Sequence, residues 1–250
     1  MLAVERYKLI RKKLVENGAV SNDELCEAFN MSDETVRRDL INLEKSGVCT
    51  RVRGGAVRNG EFVQPTMISY RMSNNEQLKK ELAQKAIQFV TEGDIIGIDS
   101  GSTTIAFSEA LRDNFSNLTV VTYSLSVFEL LKNKFKVILS GGIYNEDESA
   151  FYGSVTISTM GNLHTQKVFL APSAISIKAG IRDYQGELML VQKAMYENTD
   201  KVFFLADHTK FERNALYKIT DIKSEDLFIS DNELSNDIKK IYMDNNIKIY

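Results

Sequence analysis

Residues 21–56 read SNDELCEAFNMSDETVRRDLINLEKSGVCTRVRGGA, a string that spells two short helices, a tight turn between them and a hairpin. Ser21 and Glu24 stand in S-x-x-E spacing: the serine oxygen accepts from an early helical N–H while the glutamate reaches back to the serine amide. A helix is therefore predicted to start at Asn22, with Leu25, Ala28 and Phe29 facing inward at helical spacing. Asn30-Met31 interrupts that pattern, and Ser32 is a second N-cap. In the next helix Val36, Leu40 and Leu43 share one stripe, which places Thr35, Arg38 and Asn42 on the opposite side and Arg37 on a flank.

A helix lying in the major groove needs small and forked donors on its outer face, because Arg pairs bidentately with guanine and Thr meets the thymine methyl. Thr35 and Arg38 are assigned to base edges and Arg37 to phosphate; Ser32 and Asn42 complete the DNA-contact set of that helix. After Gly47, residues 48–53 alternate apolar or small side chains with polar ones, the period of a half-exposed strand. Gly54-Gly55 closes its tip, and Arg51, Arg53 and Arg58 form a basic wing suited to the sugar-phosphate chain. Upstream, a helix from about Val4 to Asn17 turns Leu9, Ile10 and Leu14 inward and Arg11, Lys12 and Lys13 outward.

Taken alone, a capped helix pair with surface arginines is an ordinary helical hairpin. The whole run from Arg6 to Ala56, however, resembles the DeoR family of bacterial regulators. The resemblance is carried by Ser32-Asp33-Glu34-Thr35-Val36-Arg37-Arg38-Asp39-Leu40, then Leu43, Gly47 and Arg51-Val52-Arg53-Gly54-Gly55-Ala56, with arginine at 53 where the family usually has histidine. It implies a winged helix-turn-helix domain over residues 1–57 and a double-stranded DNA operator as partner.

Bulk charge would not have suggested nucleic acid. Residues 1–58 carry 11 Lys+Arg against 9 Asp+Glu and the remainder 20 against 25, so placement of the arginines decides the matter. With 43% hydrophobic residues the chain of 250 residues holds real cores and is not globally disordered. Cys26 and Cys49 lack C-x-x-C spacing, so neither a disulfide framework nor a zinc site is indicated, and both read as small buried hydrophobes. No run approaches the ~18 apolar residues that cross a bilayer, and no leader pattern opens the chain; a cytoplasmic protein is expected.

Arg58-Asn59-Gly60-Glu61 and Pro65 break periodicity, which sets a linker at about 58–74 before a second domain over 75–250. From Glu76 the pattern is helical, with Leu78, Leu82, Ala86 and Phe89 spaced for burial, until Glu92-Gly93-Asp94. Apolar strands then alternate with amphipathic helices: Ile95 to Asp99, Leu118 to Thr122, Lys136 to Ser140, Lys167 to Ala171, Lys201 to Ala206 and Leu227 to Ser230. Continuous runs such as Val202-Phe203-Phe204-Leu205 fit strands covered on both faces, so the class is α/β with a mostly parallel sheet.

Ligands of such sheets bind outside the carboxyl ends of strands. Asp99-Ser100-Gly101-Ser102-Thr103-Thr104 offers a glycine turn, a helix N-terminus and several hydroxyls, a cradle for phosphate whose bland alternative is a simple N-cap. Thr122 and Ser124, Gly141 and Gly142, and Lys210 within Asp207-His208-Thr209-Lys210-Phe211 stand at further strand ends and complete the effector set. This segment too resembles the DeoR family, whose sensor domain is similar to ribose-phosphate isomerases and CoA transferases. The match lies on Asp99 to Thr104, Val120-Val121-Thr122-Tyr123-Ser124, Ser140-Gly141-Gly142, Gly180-Ile181 and Asp207 to Phe211. The resemblance implies a phosphorylated sugar as effector. One region departs: Ala171-Pro172-Ser173-Ala174 stands where many relatives have a glycine-rich strand end. His208, where relatives often have serine, is read as a hydrogen-bonding or spacing residue, and His164 as a solvated helix end. No metal or cofactor is implied.

The function expected is a transcriptional regulator, a repressor of sugar-metabolism genes, acting as a homodimer or higher homo-oligomer because paired readers meet paired half-sites. Two alternatives stand beside it. One is a sugar-phosphate isomerase or transferase with an appended helical domain, using Asp99, Asp183, Asp207 or Lys210, although the Ala171 to Ala174 strand end offers no acid where isomerases carry one. The other keeps DNA binding and makes the second domain a ligand-free dimerisation body.

Overall fold

In the computed structural model, which describes residues 3–17, 19–45, 48–52, 54–58 and 68–250, the chain divides into two units, residues 1–62 and 63–250. The first contains α1 (Ala3–Asn17), β1 (Ala19–Ser21), α2 (Asn22–Phe29), α3 (Asp33–Lys45), β2 (Cys49–Val52) and β3 (Gly55–Arg58). The capping box forms: Ser21 Oγ accepts from the Glu24 N–H at 3.1 Å, and the Ser21 N–H donates to Glu24 Oε2 at 3.2 Å. Asn30, in the left-handed region at φ 50°, ends α2. Ile10, Leu14, Leu25, Phe29, Val36, Leu40 and Leu43 form the core with Cys49 and Ala56.

Leu9 and Ala28, expected inside, are exposed. The inward stripe of α1 runs through Arg6, Ile10 and Leu14 at four-residue steps, and Leu9 sits about 100° around the helix from Ile10, at the middle of that stripe. Arg6 occupies that stripe because Asp39 of α3 is buried opposite, with Nη2 donating to Oδ1 at 2.9 Å.

The strand β1, which the sequence reading did not anticipate, joins the hairpin in a three-stranded antiparallel sheet of order β1-β3-β2. Ser21 pairs with Gly55, Val20 with Ala56 and Ala19 with Val57, and the Asn22 N–H donates to the Gly54 carbonyl at 2.7 Å. A Cβ on Gly55 would lie 2.1 Å from the Val20 carbonyl oxygen, so glycine there is what lets the strands approach.

The second unit opens inside the stretch expected to be linker, with α4 (Ile68–Ser73), whose Ile68 is buried and donates its N–H to the Asp147 carbonyl at 2.9 Å. Then follow α5 (Glu76–Ala86), β4 (Ile95–Ile98), α6 (Ser102–Asn114), β5 (Thr119–Thr122), α7 (Leu125–Leu131), β6 (Lys136–Leu139), β7 (Ile143–Asn145), β8 (Ala150–Tyr152), α8 (Ser154–Gly161) and β9 (Thr165–Leu170). The remainder is β10 (Ala174–Ser176), β11 (Gly180–Asp183), α9 (Gly186–Glu197), β12 (Thr199–Leu205), β13 (Tyr217–Thr220), β14 (Leu227–Ile229), α10 (Asn236–Asp244) and β15 (Lys248–Ile249).

Seven strands form a parallel sheet of order β15-β14-β12-β9-β4-β5-β6. Alternation along β12 shows why both faces are apolar: Phe203 and Leu205 belong to the core cluster that includes Leu82, Phe107 and Leu111, whereas Phe204 belongs to the one that includes Val191, Met195 and Tyr242. The chain moves outward from β4 to β5 and β6, then returns to β9 on the other side of β4 and continues to β12, β14 and β15. Direction therefore reverses between β4 and β9, the place where open α/β sheets leave a crevice. Two small antiparallel sheets, β7-β8 and β10-β11-β13, sit outside the main one. Among the described residues no helix is long and apolar enough to cross a membrane.

Candidate functional site

In the first unit α3 presents Arg37 and Arg38 to solvent, each held in an i,i+4 ion pair: Arg37 Nε lies 2.7 Å from Asp33 Oδ2 and Arg38 Nη2 lies 3.8 Å from Glu34 Oε1. Exposed pairs of this kind are worth about 0–1 kcal/mol, so exchanging them for phosphate or guanine is cheap. Thr35 is half-buried, and its hydroxyl bonds that of Ser32 at 3.1 Å at the start of the helix. Asn42 is exposed, but its Nδ2 donates to the Tyr7 hydroxyl at 2.9 Å, so it is already engaged in joining α3 to α1. Arg51 is exposed and its guanidinium lies 3.9 Å from Glu44, which also accepts from the Arg51 N–H at 2.8 Å. Arg53 and the Arg58 side chain lie outside the described residues.

In the second unit a cavity of about 90 Å³ opens where β4, β9 and β12 end, several times the roughly 10–15 Å³ that one water requires. Gly101, Ser102 and Thr103 come from the turn into α6; Ala171, Pro172 and Ser173 follow β9; Asp207, Thr209 and Lys210 follow β12. Arg71, Asn74, Asn75 and Lys79 close it from α4, α5 and the turn between them. The N-cap of α6 is Gly101, which has no side chain to offer the first N–H groups, and Gly101 to Thr103 all line the cavity, a placement of a helix start that suits an anion. Lys79 is 5% exposed, and its ammonium donates to the Arg71 carbonyl and, at 2.6 Å, to that of Asn74. Burial pulls its pKa down to about 8; Asp207 opposes the shift, and Lys210 and Arg71 add to it. A cation kept in such surroundings favours an incoming anion.

Of the effector set, Gly101, Ser102, Thr103 and Lys210 line this cavity, and the rest are engaged elsewhere. Asp99 is fully buried and accepts from the Tyr123 hydroxyl, the Ala171 N–H at 2.9 Å, Gln192 Nε2 at 3.0 Å and the Ser100 N–H at 2.8 Å. Burial pushes its pKa up to about 6 against those hydrogen bonds. It is a hub that fixes the loops around the cavity. Ser100 Oγ donates to the Glu148 carbonyl at 3.1 Å, Thr104 Oγ1 to that of Gly101 at 2.9 Å and Thr122 Oγ1 to that of Ile98 at 2.8 Å. Ser124 Oγ caps α7 by accepting from the Val127 N–H. Gly141 and Gly142 are exposed, and the close approach at Gly142 is to protein: a Cβ there would lie 2.1 Å from Thr156 Oγ1 and 2.6 Å from the Tyr152 carbonyl. Hydroxyls at strand ends thus satisfy main-chain groups that burial would otherwise orphan.

The residues that sequence reasoning missed are Arg71, Asn74, Asn75 and Lys79. Their signal was present at one position. Lys79, Leu82, Ala83 and Ala86 stand at i, i+3, i+4 and i+7, so a lysine lies on the buried stripe of α5, while Leu78 beside it is only half-buried. His208, next to the cavity, bonds Asp231 through its N–H at 2.7 Å and its ring Nδ1 at 3.1 Å. His164 is exposed and pairs with Asp200 at 2.9 Å.

Residues 6–62 match the family model described as a DeoR-like helix-turn-helix domain, and residues 74–232 the one described as a DeoR C terminal sensor domain. The L-fucose operon activator of Haemophilus influenzae is 30% identical, over 94% of each chain. The lactose phosphotransferase system repressor of Staphylococcus aureus is 32% identical, over 82% of this chain and 83% of that one. Among solved structures, ribose 5 phosphate isomerase A from Neisseria gonorrhoeae superposes on 56% of this chain and 55% of its own, with a TM-score of 0.41 and 23% identity.

Proposed function

As the chain belongs to the DeoR family of transcriptional regulators, we propose that it represses sugar-metabolism genes and that a phosphorylated sugar in the cavity at the β4–β9 reversal sets its grip on an operator. The observation that carries this reading is the convergence of Lys79, Lys210 and Arg71 on the uncapped start of α6. Relatives named for fucose and lactose operons support a sugar as the remainder of the effector. The protein works in the cytoplasm as a homodimer, with two readers on two half-sites. Catalysis is not part of this reading: the loop after β9 offers Ala171, Pro172 and Ser173, and Asp207 is occupied by the N–H and hydroxyl of Thr209. Turnover of ribose 5-phosphate by the purified protein overturns that statement.

Calorimetry with a panel of hexose, pentose and tagatose-type phosphates tests the cavity. A phosphorylated member is expected to bind and its unphosphorylated parent not to. Affinity has a defined pH window. Below about pH 6 a phosphate ester loses its second charge. Above about pH 8 Lys79 loses its proton; because a bound anion favours the charged ammonium, affinity declines as pH rises past that value, by up to roughly tenfold per unit. Lys79→Met is expected to lower the plateau and erase the alkaline limb. A wild-type Kd that stays constant from pH 7 to about 9.5 removes Lys79 from the site.

For the DNA face, Arg38→Ala is expected to cost about 1–3 kcal/mol in operator binding and to relax preference at one base position. Measured on a set of single-base operator variants, equal weakening across all of them reassigns Arg38 to phosphate. An effector that changes operator affinity by about five- to 150-fold supplies roughly 1–3 kcal/mol of coupling, and operator DNA must change effector affinity by the same factor.

A further inference from the structure

The helix α4, six residues long, is too short to stand without tertiary support, and its attachments can be named. At its start the Ile68 N–H donates to the Asp147 carbonyl at 2.9 Å. The Arg71 guanidinium ion-pairs with Glu148 and donates to the Tyr184 hydroxyl. Near its end the Arg71 and Asn74 carbonyls accept from Lys79. Two of these three fastenings therefore use cations that line the anion cavity.

The partner of Arg71 is built to survive its departure. Glu148 is 2% exposed, and its Oε1 accepts from the Tyr184 hydroxyl at 3.0 Å and from Gln185 Nε2 at 2.7 Å, neutral donors that stay when the guanidinium leaves Oε2. Arg71 Nε, for its part, is buried with no hydrogen-bond partner among the described residues, a donor still waiting for an acceptor. Lys79 is held only by neutral carbonyls in the bonds it makes with Arg71 and Asn74, and a phosphate dianion is a stronger acceptor than a carbonyl.

We propose that Glu148 and the effector's phosphate compete for Arg71, so that filling the cavity unfastens α4, the first described element after the boundary between the two units. This rests on the anion reading of the cavity given above. Glu148 is then a positioning residue: it acts on effector affinity through Arg71 and sets how much of the binding energy goes into releasing α4. An effector shifts such an equilibrium only by its difference in affinity for the two states, and competition for one guanidinium supplies that difference.

Hydrogen exchange on the full chain, with inorganic phosphate as the probe, tests the idea. Saturating phosphate is expected to slow exchange over residues 101–104 and to speed it over 68–73. In Glu148→Gln, which keeps side-chain size and the bond from Tyr184, residues 68–73 are expected to exchange fast without phosphate, and phosphate affinity to rise about fivefold. A side chain with only a structural role gives weaker binding when changed, so a fall in affinity sinks the proposal. The wild-type measurement stands even where the variant folds poorly. Slowing at 101–104 with no change at 68–73 overturns the competition and leaves the cavity reading intact. No slowing at 101–104 removes the cavity reading, and the proposal with it.

Discussion

Asp39→Ala is expected to abolish operator binding by unfolding the first unit while leaving phosphate binding in the second unchanged. Asp39 is 4% exposed and Arg6 9% exposed, and their ion pair fastens α1 to α3 across the core. Removing one partner of a buried pair costs roughly 3–5 kcal/mol, because the remaining charge stays out of water. A core of this size supplies only about 3–5 kcal/mol in total. The loss is thus comparable to the whole stability of the unit. Fluorescence anisotropy on operator DNA, with calorimetry for phosphate, reads the two units separately. A variant that binds DNA as the wild type does shows that the pair adds nothing net. Changing Arg6 and Asp39 together to leucine is expected to recover much of the stability, since an apolar pair leaves no stranded charge.

Asp99→Ala is expected to have the largest effect in the second unit, about 4 kcal/mol or more. The carboxylate accepts from Tyr123 after β5, Ala171 after β9 and Gln192 of α9, and each buried donor left without an acceptor costs about 1–3 kcal/mol. Because Ala171 and the turn at Ser100-Gly101 frame the cavity, phosphate affinity is expected to fall along with the urea midpoint. Retained stability with lost phosphate binding would instead make Asp99 a ligand of the effector, the role its position in the sequence suggested.

That contrast marks what could be read from the chain alone. Ser21 and Glu24 announced their helix because a capping box is a local device, complete within four residues. Val202 to Leu205 announced a doubly covered strand because so short an apolar run, with Phe203 to Leu205 fully buried, suits a strand with both faces covered. The direction of a side chain at a strand end is not local in this sense: Asp99 and Ser102, three residues apart, point one into the core and the other into the cavity. Asn42 was assigned to DNA on helical geometry, and only the path of α1, 35 residues earlier, brings Tyr7 to its amide. The strands β7, β8 and β10 have three residues each, too few for a period to be distinguished from a loop. Arg71 was hidden for a different reason. A Pro- and Gly-bearing stretch suggested a tether, and the short helix inside it draws its stability from Asp147, Glu148 and Lys79, which no local pattern reveals.

The lacing of β1 to β3 has a mechanical meaning for the reader. With Ser21 opposite Gly55 and the Asn22 amide seated on the Gly54 carbonyl, β3 is tied directly to the first residue of α2. A reader tied in this way moves α2 and β3 together. Any operator whose groove and flanking strand are spaced otherwise must itself be bent or twisted to fit, so tolerance to operator variation is borrowed from the stiffness of the duplex.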